Sequence, residues 1–326
     1  MILDWILLIV GMALLIKGAD FFVDGASKIA KAFHIPSLII GLTLVSMGTS
    51  APELSVSLNA ALNGSNEISL GNVVGSNLCN TLLILGISAI FTPLLITNDM
   101  KKYDIPIMFG IYALMVVFAF FISPEKLDRV ESIILLVLFV GYLVFLVLRA
   151  KKDNQNKETE EEEEKISKGK LAISAVLALV GLAAIIFGGD LVVDSASNIA
   201  MEFGMSETLV GLTIVAVGTS LPELVTSVVA SIKKENDIAI GNVIGSNIFN
   251  IIFILGVSSS ISNFSISEKV SLGISESLAD LLVLLLSGVL VLIISRLGKN
   301  IKKWQGVIFI VLYVAYIAYI IIREFA

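Results

Sequence analysis

Two glutamates stand inside apolar stretches, where a membrane-spanning helix normally carries no charge. Glu53 lies in GTSAPELSVS, which begins at Gly48, and Glu223 lies in GTSLPELVTS, which begins at Gly218. A charged side chain at the centre of such a helix costs roughly 2.5–3.5 kcal/mol even on the most lenient insertion scale. Two such costs at equivalent positions indicate a common benefit, and binding a cation is a benefit that a buried carboxylate can provide.

A proline stands directly before each glutamate and is expected to break the helix there. Pro52 and Pro222 have no N–H, and their rings crowd the carbonyls four residues back, at Gly48 and Gly218. Unpaired carbonyls persist in a membrane only where they line a cavity or hold a ligand. The sequence therefore predicts broken helices that offer backbone oxygens beside each carboxylate.

Further oxygen-bearing side chains lie at helical spacing from the glutamates. Thr49 stands four residues before Glu53 and Ser50 stands three before it, so the three share one helix face. In the next apolar stretch, polar side chains recur at every fourth residue. The second motif repeats this pattern, and the complete set is Thr49, Ser50, Ser57, Asn72, Ser76 and Asn80 with Thr219, Ser220, Ser227, Asn242, Ser246 and Asn250.

These side chains supply carboxylate, hydroxyl and amide oxygens without sulfur or imidazole. Hard cations select such ligands: Ca²⁺ takes about six to eight oxygens at about 2.3–2.6 Å, and two glutamates balance its charge. Na⁺ is similar in size and can use hydroxyl and carbonyl oxygens at overlapping positions. Small polar residues most often serve packing between membrane helices, so the serines and asparagines are weaker indicators than the duplicated glutamates.

The two motifs are copies within a tandem duplication. A shift of 170 residues, the difference between Glu53 and Glu223, also aligns GADFFVDGASKIA with GGDLVVDSASNIA and GNVVGSNLCN with GNVIGSNIFN. The matches are concentrated in Gly, Pro, Asn, Ser, Thr and Glu, whereas chance similarity between apolar helices would match Leu, Ile and Val. A repeat of this length predicts two structurally equivalent halves.

Composition places both halves in a membrane. The 326 residues are 56% hydrophobic and only 15% charged, with a mean hydropathy of +0.96, whereas soluble domains carry roughly 25% charged residues. About ten apolar runs have the length of about 20 residues that crosses a bilayer. They lie near 5–27, 36–62, 68–95, 104–122, 130–149, 170–197, 207–232, 238–261, 275–295 and 303–322.

Each half carries five apolar runs, an odd number, so the second half is predicted to be inverted relative to the first. The distribution of positive charge supports this: of 22 Lys and Arg residues, those in loops of the outer face are only Lys126, Arg129, Lys269 and Arg323. We therefore expect an all-α integral membrane protein of ten transmembrane helices, with both termini outside the cell. Inverted repeats with helices broken at the midplane are typical of secondary transporters.

A charged tract separates the halves. Residues 1–150 form the predicted first repeat, 151–169 a cytoplasmic linker with an acidic run at 160–164, and 170–326 the second repeat. Such a run repels itself and is typical of a solvated linker. The single cysteine, Cys79, excludes an intrachain disulfide, and the single histidine, His34, excludes a histidine-based zinc site.

Other acidic residues also lie in or beside the apolar runs. Four of them are duplicated, but they stand toward helix ends where water or capping can satisfy them, which favours a structural role: Asp20, Asp24, Asp190 and Asp194. Glu276 and Asp280 have no counterpart in the first half, and the sequence assigns them no role beyond the rim of a helix.

At GTSAPE and GNVVGSNLCN, and at their copies GTSLPE and GNVIGSNIFN, the sequence resembles the calcium/cation antiporter superfamily, specifically the prokaryotic sodium/calcium exchangers. Four motifs in paired register extend the resemblance over nearly the whole chain. It implies calcium binding by Glu53 and Glu223 with backbone oxygens of Thr49 and Thr219. It also implies sodium binding by Ser50, Ser76, Ser220 and Ser246 with the carbonyls of Ser46 and Ala216, and a central position for Asn80 and Asn250.

The resemblance further implies sodium-driven extrusion of calcium across the cell membrane by alternating access. Some similar proteins carry an acid where Asn250 stands, as potassium-dependent exchangers do, so Asn250 favours exchange without potassium. A proton/calcium exchanger that uses the same glutamates is the alternative, and a cation channel is a weaker one.

No catalytic constellation accompanies the glutamates. The sequence contains no nucleophile paired with a base, no histidine cluster and no phosphate-binding loop, so no enzymatic activity is expected. The expected partners are calcium ions, sodium ions and the lipid bilayer. No cofactor, nucleic acid or required protein partner is expected.

Overall fold

Helices make up most of the part of the chain that the structure describes. A computed structural model describes residues 2–64, 66–122, 126–157, 168–205, 210–262, 264–265, 270–271 and 274–325. The acidic run at 160–164 lies outside these residues, whereas the two flanks of the predicted linker, 151–157 and 168–169, are helical.

The helices follow the predicted apolar runs. In chain order they are α1 (Ile2–Ala32), α2 (Ser37–Thr49), α3 (Ala51–Leu62), α4 (66–91), α5 (Met100–Ile122), α6 (Arg129–Lys157), α7 (Lys168–Glu202), α8 (210–218), α9 (Leu221–Ile232), α10 (Asn236–Ile261), α11 (Glu276–Leu297) and α12 (Lys303–Phe325). Three short antiparallel strand pairs join some of the connections: β1 (Leu94–Leu95) with β6 (Asn300–Ile301), β2 (Lys126–Leu127) with β3 (Phe264–Ser265), and β4 (Val270–Ser271) with β5 (Ile274–Ser275).

The chain is a multi-pass membrane protein. Within the described residues, 8 helices are long and apolar enough to cross a membrane, and α2 with α3 makes a ninth span if the bent pair is counted as one. The predicted run near 207–232 corresponds to α8 and the 12-residue α9. Residues 206–209, at the start of that run, lie outside the described chain. Ten spans therefore stay a prediction.

The helices are interrupted beside both glutamates. α2 ends at Thr49 and α3 begins at Ala51 with a bend of 49°, and the same interruption separates α8 from α9. Pro52 stands in the first turn of α3, where a missing N–H would have no helical partner. Backbone hydrogen bonding resumes from Leu54 N–H to the Ser50 oxygen at 3.1 Å. The backbone carbonyls of the residues before Ser50 therefore precede this first hydrogen bond of α3.

Wider helical turns recur at equivalent positions of the two halves. π-helical turns span Gly41–Val45 in α2 and Gly211–Val215 in α8. A second pair, which overlaps after a displacement of one residue, spans Cys79–Ile84 in α4 and Asn250–Leu255 in α10. Such turns are rare and are often found at functional sites. Their recurrence shows that the duplication extends to the local backbone conformation.

The chain divides into two compact units that do not coincide with the halves of the sequence. Unit 1 comprises Met1–Thr49 and Val140–Gly245, and unit 2 comprises Ser50–Phe139 and Ser246–Ala326. Each unit therefore contains helices from both copies of the repeat, and each contains one of the two glutamates.

In unit 1, α1 and α7 pack against each other in antiparallel directions along a line of small residues. A Cβ added to a glycine of α1 would stand within 3 Å of a backbone oxygen of α7: at Gly11 it would be 2.9 Å from Gly188, at Gly18 2.8 Å from Gly181, and at Gly25 2.6 Å from Ser174. Each step of seven residues forward along α1 is a step of seven backward along α7. Small residues of this kind allow helix backbones to approach closely.

In unit 2, α4 packs against α12 with the same kind of contact. A Cβ added to Gly86 would stand 2.8 Å from the Gly306 oxygen, and β1 and β6 extend this antiparallel arrangement. At the far end of α12, Arg323 donates hydrogen bonds of 3.0 and 3.2 Å to Asp280 of α11 and lies 3.6 Å from Glu276. Glu276 and Asp280, which had no assigned role, thus form an ion-pair cluster with Arg323 between α11 and α12.

Candidate functional site

Glu53 is fully buried near the start of α3, in unit 2. Ser76 of α4 donates a hydrogen bond from Oγ to Glu53 Oε1 at 3.2 Å. One turn earlier in α4, Asn72 donates from Nδ2 to the Glu53 backbone oxygen at 3.1 Å and to Ser57 Oγ at 2.9 Å. α4 therefore holds both the carboxylate and the backbone of the glutamate.

Two residues of α10 join this neighbourhood of unit 2. Asn250 donates from Nδ2 to Ser76 Oγ at 3.3 Å, which links it to the hydroxyl that donates to Glu53. Ser246, one turn before Asn250, accepts a hydrogen bond from Ser50 Oγ at 3.0 Å. All five side chains are buried. The structure thus brings together five candidate ligands from two consecutive helical segments of the first half and from α10 of the second half.

Asn80, the counterpart of Asn250 in the first half, differs from it. Asn80 is fully buried, and among the described residues neither its Oδ1 nor its Nδ2 has a hydrogen-bond partner. Within the same part of the chain, Asn250 Oδ1 also has none. Buried amide groups are normally hydrogen-bonded. The two amide oxygens are therefore suited to a ligand such as a cation or a water molecule.

Two buried asparagines of this region were missed by the sequence reasoning. Asn77 donates from Nδ2 to the Asn247 backbone oxygen at 3.0 Å and accepts from Asn250 Nδ2 at 3.0 Å. Asn247 donates to Thr81 Oγ1 at 2.9 Å, and Thr81 shares a hydrogen bond of 3.2 Å with the Tyr112 hydroxyl. Asn77 and Asn247 are duplicated at the same offset as the glutamates, so this signal was present in the sequence. They lie beside the four-residue stripe rather than on it.

Glu223 is fully buried near the start of α9, in unit 1. Asn242 of α10 donates from Nδ2 to the Glu223 backbone oxygen at 3.3 Å and to Ser227 Oγ at 2.9 Å, which repeats the contacts of Asn72 in the other unit. Thr49 donates from Oγ1 to Asn242 Oδ1 at 3.0 Å. The Thr49 hydroxyl thus joins the same cluster of hydrogen bonds as Asn242.

The remaining candidates lie at or near the two helix interruptions. Thr219 and Ser220 occupy the interruption between α8 and α9, where Ser220 is buried and Thr219 is half-buried. Ala216 lies in the last turn of α8. Ser46 is buried in the last turn of α2 and donates from Oγ to the Thr43 oxygen at 3.2 Å. These positions place backbone carbonyls near the interruption that follows each helix.

The charged groups alone do not make a complete metal site. Among the residues that the structure describes, no group of three or more His, Cys, Asp or Glu side chains could hold a metal ion. A cation beside either glutamate would therefore take its other ligands from hydroxyl, amide and backbone oxygens. The candidate residues are of this type, and they fit a hard cation such as Ca²⁺ or Na⁺.

Asp20 and Asp24 of α1 contact a lysine in unit 1. Lys233, directly after α9, lies with Nζ 2.6 Å from a carboxylate oxygen of each aspartate. Partial burial lowers the pKa of Lys233, but the hydrogen bonds to Asp20 and Asp24 outweigh it, so the pKa is raised above its usual value. This ion-pair cluster is in keeping with a structural role for the two aspartates.

Comparison with known proteins identifies relatives over nearly the full length of the chain. A sequence model of the family described as "Sodium/calcium exchanger protein" matches residues 3–148 and 173–322. The chain is 37% identical to the putative antiporter CaxA of Alkalimonas amylolytica, over 97% of this chain and 98% of that protein. It is also 37% identical to the sodium/calcium exchanger MaX1 of Methanosarcina acetivorans, over 96% and 97% of the two chains.

The fold is similar to solved structures of the sodium-calcium exchanger NCX_Mj. A structure soaked with zero Na⁺ and Ca²⁺ matches with a TM-score of 0.83 at 31% identity, covering 98% of this chain and 99% of that one. A second structure, soaked with 10 mM Na⁺ and 10 mM Sr²⁺, matches with a TM-score of 0.83 at 32% identity, covering 97% and 98%.

Proposed function

The chain belongs to the sodium/calcium exchanger family, and from this premise we propose that it exchanges sodium for calcium across the cell membrane by alternating access. The inward sodium gradient drives calcium out of the cell. Exchange does not require potassium, because Asn250 brings no additional negative charge to the candidate ligands.

The observation that carries this proposal is the pair of buried glutamates at equivalent helix interruptions. Glu53 and Glu223 are each 0% exposed. The backbone oxygen of each accepts a hydrogen bond from the side chain of an asparagine in the next helix. An acid buried in this way is costly unless a cation or a proton neutralises it. Two acids held in the same manner fit the charge of one Ca²⁺.

The proposed ligands are those that the family resemblance implies. Glu53 and Glu223 bind calcium with the backbone oxygens of Thr49 and Thr219. The sodium ligands are Ser50, Ser76, Ser220 and Ser246 with the carbonyls of Ser46 and Ala216, and Asn80 and Asn250 supply central amide oxygens. The hydrogen bonds from Asn250 to Ser76 and from Ser76 to Glu53 support this assignment within unit 2.

The proposed architecture is ten transmembrane helices in two inverted repeats. Equivalent helices of inverted repeats run in opposite directions, and the antiparallel packing of α1 and α7, the first helices of the two halves, supports this arrangement. The distribution of Lys and Arg favours both termini outside the cell and residues 151–169 in the cytoplasm. The cell membrane is the proposed location.

Exchange rather than leakage follows from the charge of the site. Burying two ionised glutamates without a cation leaves uncompensated charge in a medium of low dielectric constant, which is strongly unfavourable. A transporter without ions therefore resists closing around its empty site. Calcium and sodium compete for overlapping oxygens. The site therefore releases one ion on one side of the membrane and binds the other ion there before it returns.

Transport by the purified protein in liposomes tests the coupling ion. Vesicles loaded with Na⁺ are diluted into sodium-free medium that contains radioactive Ca²⁺, with the same strongly buffered pH on both sides. We expect calcium uptake that depends on the outward sodium gradient and is unchanged when potassium is omitted. Vesicles loaded with choline instead of sodium are the matched control and should take up little calcium.

Two other outcomes would replace the proposal. Uptake driven by a pH gradient in the absence of sodium would identify a proton/calcium exchanger. Uptake down a calcium gradient alone, with no counter-ion and at rates well above exchange, would identify a channel.

A further inference from the structure

Asn77 is hydrogen-bonded at both ends of its amide, inside unit 2. It is fully buried. Its Nδ2 donates to the Asn247 backbone oxygen at 3.0 Å, and its Oδ1 accepts from Asn250 Nδ2 at 3.0 Å. The side chain therefore stands between a fixed backbone atom and a candidate ligand.

The backbone oxygen determines the orientation of both amides. A carbonyl can only accept a hydrogen bond, so Asn77 must turn its Nδ2 toward Asn247. Oδ1 of Asn77 then faces Asn250, and an acceptor can be satisfied only by a donor. Asn250 must consequently present Nδ2, whose other hydrogen bond goes to Ser76 Oγ at 3.3 Å.

The Asn250 oxygen is the atom that this arrangement leaves over. It is buried, and among the residues that the structure describes it has no hydrogen-bond partner. Rotating the Asn250 amide by half a turn would place its oxygen against Asn77 Oδ1, where two acceptors would meet. The orientation is therefore fixed by Asn77 rather than by a contact of the Asn250 oxygen itself.

We propose that Asn77 is a positioning residue for ion binding, which acts through Asn250 by holding the Asn250 amide oxygen toward the transported ions. The inference rests on the proposed function, in which Asn250 supplies an amide oxygen. Asn77 also restricts position 250 to side chains that donate a hydrogen bond.

The other copy of the repeat lacks this device and provides a matched control. Asn247, the counterpart of Asn77, donates to Thr81 Oγ1 at 2.9 Å and contacts Met108 Sδ at 3.6 Å. Asn80, the counterpart of Asn250, has no hydrogen-bond partner within the described chain. The Asn247 amide oxygen likewise has no hydrogen-bond partner among the described residues, but the side chain of Asn247 hydrogen-bonds to none of the proposed ion ligands there. Replacing it thus removes a buried amide of the same size from the same region without releasing a proposed ligand.

A double-mutant cycle tests the proposal. The variants are Asn77→Leu, Asn250→Leu, the double variant and the control Asn247→Leu. The concentrations of Na⁺ and of Ca²⁺ that half-saturate the protein are measured by ion-dependent thermal stabilisation in detergent and by exchange in liposomes. Leucine resembles asparagine in size but neither donates nor accepts a hydrogen bond.

We expect Asn250→Leu to raise the half-saturating concentration of at least one ion by about tenfold, which corresponds to about 1.4 kcal/mol. Asn77→Leu should raise it for the same ion by a similar factor, and the double variant should raise it no further, because the two residues act on one oxygen. Asn247→Leu should lower the unfolding temperature but change both concentrations less than about twofold.

The cycle also gives outcomes that overturn the proposal. It is wrong if Asn77→Leu leaves both concentrations unchanged, if the two single effects add, or if Asn250→Leu affects neither ion. Should Asn77→Leu fail to fold, Asn77→Ala removes both amide contacts with a side chain that fits within the space of the asparagine, and the same shift is expected. A wild-type protein that neither exchanges nor is stabilised by either ion would instead overturn the proposed function.

Discussion

Replacing either buried glutamate by glutamine tests the importance of its charge with little change of shape. Glu53 Oε1 accepts a hydrogen bond from Ser76 Oγ at 3.2 Å, and a glutamine retains an oxygen that can accept the same bond. Glu53→Gln therefore removes the negative charge while keeping the neighbouring contact. We expect it to abolish calcium exchange, and we expect the same of Glu223→Gln.

The burial of the two residues sets the magnitude. An ion pair at an exposed surface is worth about 0–1 kcal/mol, whereas removing one partner of a buried pair costs about 3–5 kcal/mol. Both glutamates are 0% exposed, so the second range applies if they bind calcium. Calcium affinity should consequently fall by about two to three and a half orders of magnitude, at about 1.4 kcal/mol per factor of ten.

Equilibrium binding of radioactive Ca²⁺ to the purified variants measures this loss directly, and sodium-driven uptake in liposomes measures its effect on exchange. Asp20→Asn is the matched control, since its side chain is 38% exposed and Asp24 keeps its own contact with Lys233. The control should bind calcium within about threefold of the wild type. A folded Glu53→Gln or Glu223→Gln variant that binds calcium within about fivefold of the wild type would refute the reasoning.

Three further predictions concern the contacts that hold the helices together. The pKa of Lys233 is raised in the folded protein, so its ion pairs contribute their full stability below the ordinary lysine pKa of about 10.4. That stability is lost as the pH rises through the higher pKa of the folded state. The unfolding temperatures of Lys233→Met and the wild type should therefore differ at pH 7 and converge at strongly alkaline pH. Arg323→Leu should lower the unfolding temperature more than the double variant Arg323→Leu/Asp280→Leu, because the single variant leaves two largely buried carboxylates, Asp280 and Glu276, without their arginine, whereas the double variant leaves only Glu276. Equal losses would contradict this. Gly181→Ala should lower both the unfolding temperature and the exchange rate, because the added Cβ would stand 2.6 Å from the Gly18 oxygen. Gly141→Ala is the control and should change neither, because its Cβ would meet none of the described atoms within 4 Å.

Local rules predicted the helix interruptions and the polar residues that share a helix face. Proline chemistry placed the interruption beside Glu53, and helical periodicity placed Asn72 and Ser76 on the face that contacts it. The repeat then predicted equivalent positions in the second half, and Asn242 indeed makes the same contacts with Glu223 as Asn72 makes with Glu53. These features depend on spacing within one or two helices, which the sequence displays.

Contacts between distant helices were harder to predict. The pairing of Asp280 with Arg323 depends on the packing of α11 against α12, and no repeat signal points to it. Nor does the duplication indicate that the compact units combine helices of both halves. Asn77 was missed because it lies one residue after Ser76, outside the stripe of every fourth residue. It is duplicated as Asn247, so a comparison of all polar residues repeated between the halves identifies it.

One sequence difference between the copies explains why the Asn250 amide has hydrogen-bond partners among the described residues while the Asn80 amide has none there. Thr81 provides the hydroxyl that accepts from Asn247, whereas the equivalent position of the other copy is Ile251, which has no polar group. Asn77 therefore has no equivalent hydroxyl to reach and donates to the Asn247 backbone oxygen instead. With its Nδ2 bonded to that backbone oxygen, Asn77 presents its Oδ1 to Asn250 and so orients the Asn250 amide. A duplication can thus supply two equivalent acids while a single threonine decides which of the repeated amides is held in place.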